Sequence, residues 1–371
     1  MTTKPRFLDF FSGSGLVSEA VRSSFDVVWA NDISPNKAEV YTANHGKAHF
    51  HLASIENVQG QELPSAEISW ASFPCQDLSL AGAQAGLSGK RSGLVWEWLR
   101  IYDEMPIKPH VLVAENVVGL LSSAGGNNYR ALHLELVNRG FKVGAMVLDA
   151  ADFIPQSRPR VFVVACNTRY DTSTFEQPLA GWHHTRAVLT ASSGLSNWVF
   201  WKLPSPTVYK RQTLADLVDW DAATDTEEKV RRNLGMIAPR HQTKLLKELA
   251  NGFTVAPGYK RTRAGKPVLE LRFDGVAGCL RTPEGGSSRQ LLVLKRDSTL
   301  TTRLLTARET ARLMGAPESY KLPANYNKAY KAMGDAVAVP VARYLAEKLL
   351  RPLCHVIENQ AKRPSPRIRS A

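Results

Sequence analysis

The chain has few cysteines and no cysteine pair. Four, at positions 75, 166, 279 and 354, are scattered over 371 residues, and no CxxC occurs. That spacing excludes a zinc ribbon or finger and offers no disulfide framework. The nine histidines give one cluster, His183-His184, with no cysteine beside it, so no metal site is expected. Long apolar runs are missing too, and none approaches the ~20 residues of a membrane helix. No secretory leader is visible: Met1–Arg6 is basic, but Phe7–Phe11 carries Asp9 and is too short for an apolar leader core. A cytoplasmic protein with no membrane partner is the expectation. No internal repeat is seen. What remains is ordinary globular material, 44% hydrophobic and 22% charged, on a chain long enough for two domains and a sizeable core.

Charge of one sign is unevenly supplied. Residues 1–181 hold 15 basic and 18 acidic side chains, residues 182–303 hold 20 and 11, and residues 304–371 hold 12 and 5, within a net charge of +13. A near-neutral first half joined to a basic second half assigns chemistry to one and a polyanion to the other.

The first 166 residues alternate strand and helix patterns. Strands are expected at Phe7–Phe11, Val27–Ala30, Ile68–Phe73, Val111–Ala114, Val143–Leu148 and Val161–Cys166, with helices over 93–104 and 127–139. Pro35 suits the first turn of a helix. Such alternation predicts an α/β fold with a doubly wound, mostly parallel sheet. The rhythm is lost between 182 and 303, where prolines are scattered and Gly285-Gly286-Ser287-Ser288 marks a loop. A second, smaller, irregular domain is expected there. Helical patterns return after 304: Thr306 and Glu309 form a capping box, and Val337, Val341, Leu345 and Leu349 make an apolar helix face. The boundaries read as 1–181, 182–303, 304–355, and a disordered basic tail at 356–371.

Pro74-Cys75-Gln76 sits directly behind the apolar run Ile68–Phe73. Proline cannot continue the sheet, so the chain turns and leaves the Cys75 thiol at the carboxyl end of a strand. That edge is where open α/β sheets bind ligands, and a thiol of pKa about 8.5 is the most nucleophilic ordinary side chain. Taken alone, a small buried cysteine is the commoner explanation. Other strand ends add to it. Ser12-Gly13-Ser14-Gly15 follows the first strand, where glycine lets backbone approach a ligand. Asp32 ends the second, placed to take ribose hydroxyls. Glu115-Asn116 follows Val111–Ala114. All four features fall on one edge.

Here the sequence resembles the DNA (cytosine-5)-methyltransferase family of bacterial and phage restriction-modification type. Asp9-Phe10-Phe11-Ser12-Gly13-Ser14-Gly15 is similar to its cofactor motif, and Pro74–Gly82 to its nucleophile loop. Glu115-Asn116-Val117 is similar to its glutamate motif, and Gln156-Ser157-Arg158-Pro159-Arg160 to its Gln-x-Arg-x-Arg motif. Leu305–Gly315 and Gly334-Asp335-Ala336-Val337 are similar to its last two. They occur in family order. Asp32 stands where the family usually has Glu, Ser54 where it often has Asp, Asp335 for Asn, and Leu16 for glycine.

The resemblance implies a Rossmann-like S-adenosylmethionine-dependent methyltransferase fold with a target-recognition domain. It implies transfer of a methyl group to carbon 5 of a cytosine flipped out of double-stranded DNA. Cys75 would attack carbon 6, Glu115 would hold ring nitrogen 3, and Arg158 or Arg160 would activate the thiol. S-adenosylmethionine would lie against Phe11, Ser12, Gly13, Gly15, Leu16, Asp32, Ile33, Ser54, Ile55, Pro74, Asp335, Ala336 and Val337. Substrate contacts would come from Gln76, Ser79, Asn116, Gln156, Arg281 and Arg289, and phosphate contacts from Lys210-Arg211, Arg231-Arg232 and Arg261-Thr262-Arg263. A monomer, in functional pairing with a restriction endonuclease, is the further expectation. The rivals are a structured-RNA substrate, a catalytically silent nucleic-acid-binding module, and a nicotinamide dehydrogenase. The absent third glycine speaks against the last.

Overall fold

The computed structural model describes residues 4–74, 93–207, 212–281, 289–297 and 299–362. Seven strands form the first sheet: β1 (Arg6–Phe10), β2 (Asp26–Asp32), β3 (Phe50–Leu52), β4 (Ile68–Ala71), β5 (Val111–Val117), β6 (Phe141–Asp149) and β7 (Pro159–Asn167). Their order is β3-β2-β1-β4-β5-β7-β6. Neighbours from β3 to β5 pair parallel, whereas β7 is antiparallel to both β5 and β6. The sheet is mostly parallel, as the alternation in the sequence predicts, and the exception is β7. The link between Asp149 and Pro159 is too short for a crossover helix, so the chain reverses. The reversal has a functional consequence. It brings the start of β7, with Arg158 and Arg160, to the edge where β1, β4 and β5 end.

The strands are apolar on both faces because both are covered. Phe7, Trp70, Val113 and Phe162 face one layer, and Leu8, Phe10, Leu112 and Val163 the other. The second layer holds α3 (Leu94–Glu104) and α4 (Asn127–Asn138); the first holds α1 (Leu16–Val21) and α2 (Pro35–His45). Pro35 opens α2 as expected.

The residues just after 181 still pack on this sheet. The short strands β8 (Glu176–Gln177) and β9 (Phe200–Trp201) pair with each other, and α5 (Arg186–Ser192) lies between them in sequence. Val147 donates its backbone N–H to the His183 carbonyl at 2.9 Å, and fully buried Trp201 donates from its indole to the Val164 carbonyl at 2.9 Å.

Beyond them, the region read as irregular contains an ordered antiparallel sheet. After α6 (Leu214–Leu217), α7 (Glu227–Gly235) and α8 (Pro239–Ala250) come β10 (Val255–Arg263), β11 (Lys266–Leu271), β12 (Leu291–Arg296) and β13 (Thr299–Leu304). The strand order is β11-β10-β12-β13. Its small core, Ile237, Leu245, Ala256, Leu269, Leu271, Leu291 and Val293, is too dispersed in sequence to reveal itself by periodicity.

The chain then returns through α9 (Ala307–Leu313), α10 (Tyr326–Gly334), α11 (Val339–Leu345) and α12 (Arg351–Ala361). The Thr306–Glu309 capping box is present. Val337, Val341, Leu345 and Leu349 are buried in the core shared with α1. Helix α12 runs to Ala361 with Ile357 buried, so the first part of the expected disordered tail is helical. No helix among the described residues is long and apolar enough to cross a membrane.

Candidate active site

The loop after β1 is held in an uncommon conformation. Phe11, Gly13 and Gly15 all have positive φ, at 55°, 57° and 85°. Only glycine adopts that region freely, so Phe11 is held there by its surroundings. The end of β2 does the holding. Phe11 donates its N–H to Asn31 Oδ1 at 3.3 Å, Ser12 donates its N–H to the Asn31 carbonyl at 2.8 Å, and Gly13 donates its N–H to Asp32 Oδ2 at 3.0 Å. The other Asp32 oxygen accepts the Ser34 N–H at 2.8 Å. Beside this anchored carboxylate the Ile33 side chain is 68% exposed. Ser14 Oγ donates to the Ala332 carbonyl at 2.9 Å, tying the loop to α10. The Tyr320 hydroxyl donates to the Ser14 carbonyl.

The remaining expected cofactor residues divide. Leu16, Ile55 and Val337 are buried apolar residues whose side chains belong to the core, which leaves only their backbone to face a ligand. Ser54 Oγ donates to Glu56 at 3.2 Å. Asp335 pairs with Lys37 at 3.2 Å, and the Ala336 carbonyl accepts from Arg158. Pro74 is exposed at the last described position before the nucleophile loop. Cys75, Gln76 and Ser79 lie outside the described residues.

Two strands away, Glu115 lies in β5, two residues before its end. In the ladder Val117 stands opposite Arg160 and Glu115 opposite Phe162, so Glu115 and Arg160 are diagonal neighbours on one face. Arg160 Nε lies 3.3 Å from Glu115 Oε1, both side chains largely buried. Burial pushes the Glu115 carboxyl above the usual carboxylate range, while Arg160, then Arg158 and a hydrogen bond from Ser72, pull it back. An acid so placed keeps a proton more readily than an exposed one. Asn116 donates from Nδ2 to the Phe73 carbonyl at 2.9 Å. That bond fixes the end of the segment leading into Pro74-Cys75.

Arg158 does not face an open site. It is 2% exposed. Nη1 donates to the Leu280 carbonyl at 2.9 Å and contacts Cys279 Sγ at 3.3 Å; Nη2 donates to the carbonyls of Gly334 at 2.9 Å and Ala336 at 2.6 Å. The expectation of direct thiol activation is corrected here: both terminal nitrogens are spent on two segments distant in sequence, which they join to the start of β7, and the buried Nε has no partner among the described residues. Gln156 is likewise buried. Its amide donates to the Leu313 carbonyl and accepts the Leu280 N–H at 3.0 Å, so the expected DNA contact gives way to an internal tie. Arg281 is exposed. Arg289 donates to Asn327 Oδ1 at 2.6 Å. Of the other basic candidates, Arg231 and Arg232 are exposed on α7, Arg263 pairs with Glu270, and Lys210-Arg211 lie outside the described residues.

Sequence reasoning missed Asp9. It is fully buried under the glycine loop, with Oδ2 accepting from Ser18 at 2.7 Å and Oδ1 without a partner among the described residues. Burial, with Asp32 adding to it, raises its pKa to about 7. The signal was available: a lone acid inside the otherwise apolar run Phe7–Phe11.

Comparison with known proteins places this arrangement. The family model for C-5 cytosine-specific DNA methylase matches residues 5–351. Type II methyltransferase M.HhaI of Haemophilus parahaemolyticus is 28% identical over 348 residues, covering 92% of this chain and 93% of that protein. Type II methyltransferase M.Bsp6I of Bacillus sp. (strain RFL6) is 27% identical over 336 residues, covering 89% and 92%. The fold is similar to that of the Dnmt2 methyltransferase of S. pombe, with a TM-score of 0.60 at 20% identity over 94% of this chain and 99% of that one. With the family model spanning nearly its whole length, the chain belongs to the C-5 cytosine-specific DNA methylase family and is a DNA cytosine-5 methyltransferase.

Proposed function

We propose that the protein is a sequence-specific enzyme using S-adenosylmethionine as methyl donor and Cys75 as a covalent nucleophile toward a flipped cytosine in duplex DNA. The observation that carries the reading is the buried Glu115–Arg160 pair at the carboxyl edge of the sheet. It lies beside the Asn116–Phe73 bond that anchors the approach to the thiol.

The chemistry needs what these residues offer. The Cys75 thiolate adds to carbon 6 of the pyrimidine, and the electron pair displaced toward ring nitrogen 3 is met by the Glu115 proton. Carbon 5 becomes enamine-like and takes the methyl group. Loss of the carbon 5 proton to a base then expels the thiolate, and Glu115 recovers its proton from the ring. Arg160 keeps the Glu115 carboxyl oriented, and its charge limits how far the acid is neutralised.

The residues at the first two strand ends fit the donor. The anchored Asp32 carboxylate retains lone pairs for ribose hydroxyls, and the exposed Ile33 offers an apolar surface for a purine ring. When bound, the donor supplies an electrophilic methyl on a sulfonium. The residues of the Phe11–Gly15 loop present backbone to it.

The basic half of the chain supports a polyanionic substrate. Flipping costs a few kcal/mol, which contacts along the duplex must offset. Action as a monomer in the cytoplasm, alongside a restriction endonuclease, completes the proposal.

Methyl transfer to duplex DNA in the presence of S-adenosylmethionine, with the product mapped as 5-methylcytosine in one sequence context, tests it. DNA carrying 5-fluorocytosine at that context becomes trapped on the wild-type protein and not on Cys75→Ser. Full turnover by Cys75→Ser would remove the covalent step.

A further inference from the structure

We propose that Ser72, held by the indole of Trp70, is a positioning residue for the Glu115 acid: it fixes the carboxyl and sets how readily that carboxyl gives up its proton. The inference rests on the reading that Glu115 protonates ring nitrogen 3.

Ser72 lies directly after β4, ahead of the nucleophile loop that opens at Pro74. Two ladders place it. Ala71 stands opposite Ala114 in the parallel β4–β5 pair, so the next position sets Ser72 beside Glu115. The Ser72 N–H still donates to the Phe10 carbonyl of β1 at 3.3 Å, which carries the ladder past the end of the strand. Side chains alternate along a strand. Trp70 and Ser72 therefore share one face with Val113, Glu115, Phe162 and Arg160. Ser69, the other serine of this run, points to the opposite layer, where its hydroxyl takes the Trp98 indole at 2.8 Å.

Hydrogen bonding then leaves the Ser72 hydroxyl one role. Trp70 Nε1 donates to Ser72 Oγ at 2.9 Å. Trp70 is fully buried, with the Phe7 and Phe162 ring centroids 6.1 and 5.8 Å away, so this donor cannot swing aside. A hydroxyl carries one proton. With its oxygen accepting from Trp70, that proton is directed to the Glu115 carboxyl, to which Ser72 is hydrogen-bonded. Donation into the oxygen also polarises the O–H and strengthens what it gives.

The same carboxyl is held from its other side. Arg160 Nε meets Oε1 at 3.3 Å, so a proton on Glu115 belongs on Oε2. Among the described residues the charged groups that face Glu115 are Arg160 and then Arg158, both from the start of β7, whereas the β4 side brings the neutral Trp70–Ser72 pair. The next residue extends the tie, because the Phe73 carbonyl accepts from Asn116 Nδ2 at 2.9 Å. Ser72 and Phe73 thus bind the approach to Cys75 to Glu115 and Asn116 in register. The acid and the segment leading to the thiol are held as one piece.

The test is an infrared difference titration of the full chain without donor or DNA. It follows the C=O stretch of protonated Glu115, identified by its loss in Glu115→Gln. Ser72→Ala removes a hydrogen bond that favours the carboxylate, so the titration midpoint is expected to rise by about one pH unit. The alkaline limb of kcat is expected to rise with it. On the plateau kcat falls by up to about tenfold as the acid loses its orientation, with KM for duplex DNA unchanged. Ser72→Thr keeps the hydroxyl and is expected to restore midpoint and limb. Trp70→Phe removes only the indole donor and is expected to move the midpoint the same way by less. The serine variants carry the test if that core substitution fails to fold. An unmoved midpoint in Ser72→Ala, or a threonine midpoint equal to the alanine one, would overturn the inference. A lowered melting temperature with no change of midpoint would leave Ser72 a packing residue and overturn it too. A midpoint that moves while the limb of kcat stays would instead strike at Glu115 as the proton donor.

Discussion

Arg158 and Ala336 meet across 178 residues of chain, the Nη2 of one donating to the carbonyl of the other at 2.6 Å. The same guanidinium holds Leu280, so a single side chain joins β7, the approach to the antiparallel sheet and the turn after α10. Burial pushes its pKa down to about 10, which leaves it ionised at neutral pH.

Arg158→Ala strands three carbonyls in a closed interior. Each unsatisfied buried group costs about 1–3 kcal/mol. The expected loss in unfolding free energy is at least about 3 kcal/mol, measured by urea denaturation. Arg158→Lys keeps the charge but not the fork, and falls between. A loss below about 1 kcal/mol for the alanine variant would show that the network is dispensable.

The Glu115 carboxyl is raised above the usual range, chiefly by burial. If its proton is used at ring nitrogen 3, kcat declines as pH rises through that raised value. Glu115→Gln carries no titrating proton. Its kcat is expected to drop by about 10²–10⁴-fold and to lose that alkaline limb. A variant whose pH profile keeps the limb would assign it to another group.

Asp9 makes a prediction about stability alone. Its folded pKa of about 7 lies well above the usual carboxylate range, because burial disfavours the charge. The folded state therefore holds the proton more tightly, and the contribution of Asp9 to stability is greatest below about pH 4. It declines as pH climbs toward 7, by on the order of 4 kcal/mol. Asp9→Asn keeps a neutral, hydrogen-bonding side chain. Its melting temperature should vary less between pH 5 and 7.5 than that of the wild type. Parallel pH profiles would locate the dependence elsewhere.

Gly13 and Gly15 differ although both have positive φ. A Cβ on Gly15 would sit 2.6 Å from the His45 ring and 2.8 Å from Tyr41, whereas one on Gly13 meets nothing closer than 3.9 Å. Gly13→Ala is expected to cost about 1–2 kcal/mol, the left-handed penalty alone. Gly15→Ala must displace buried rings and is expected to cost more. Calorimetry on the two variants checks the order, and reversal would contradict the packing.

The sequence alone determined the local elements and the cast of the site. Period and punctuation identified most strands of the first sheet and the Thr306 cap. Apolar runs set Asp32 at the end of β2 and Glu115 near the end of β5, because strand and turn preferences act over a few neighbours. Only the tertiary structure decided what those residues touch. Nothing in Gln156-Ser157-Arg158-Pro159-Arg160 distinguishes its two arginines. The reversal of β7 sends Arg160 to Glu115 and buries Arg158 among carbonyls from beyond residue 279. The antiparallel sheet stayed hidden because its few core residues are spread between 237 and 293. The burden on Asp9 was invisible for the same reason: desolvation depends on which distant layers close over a residue.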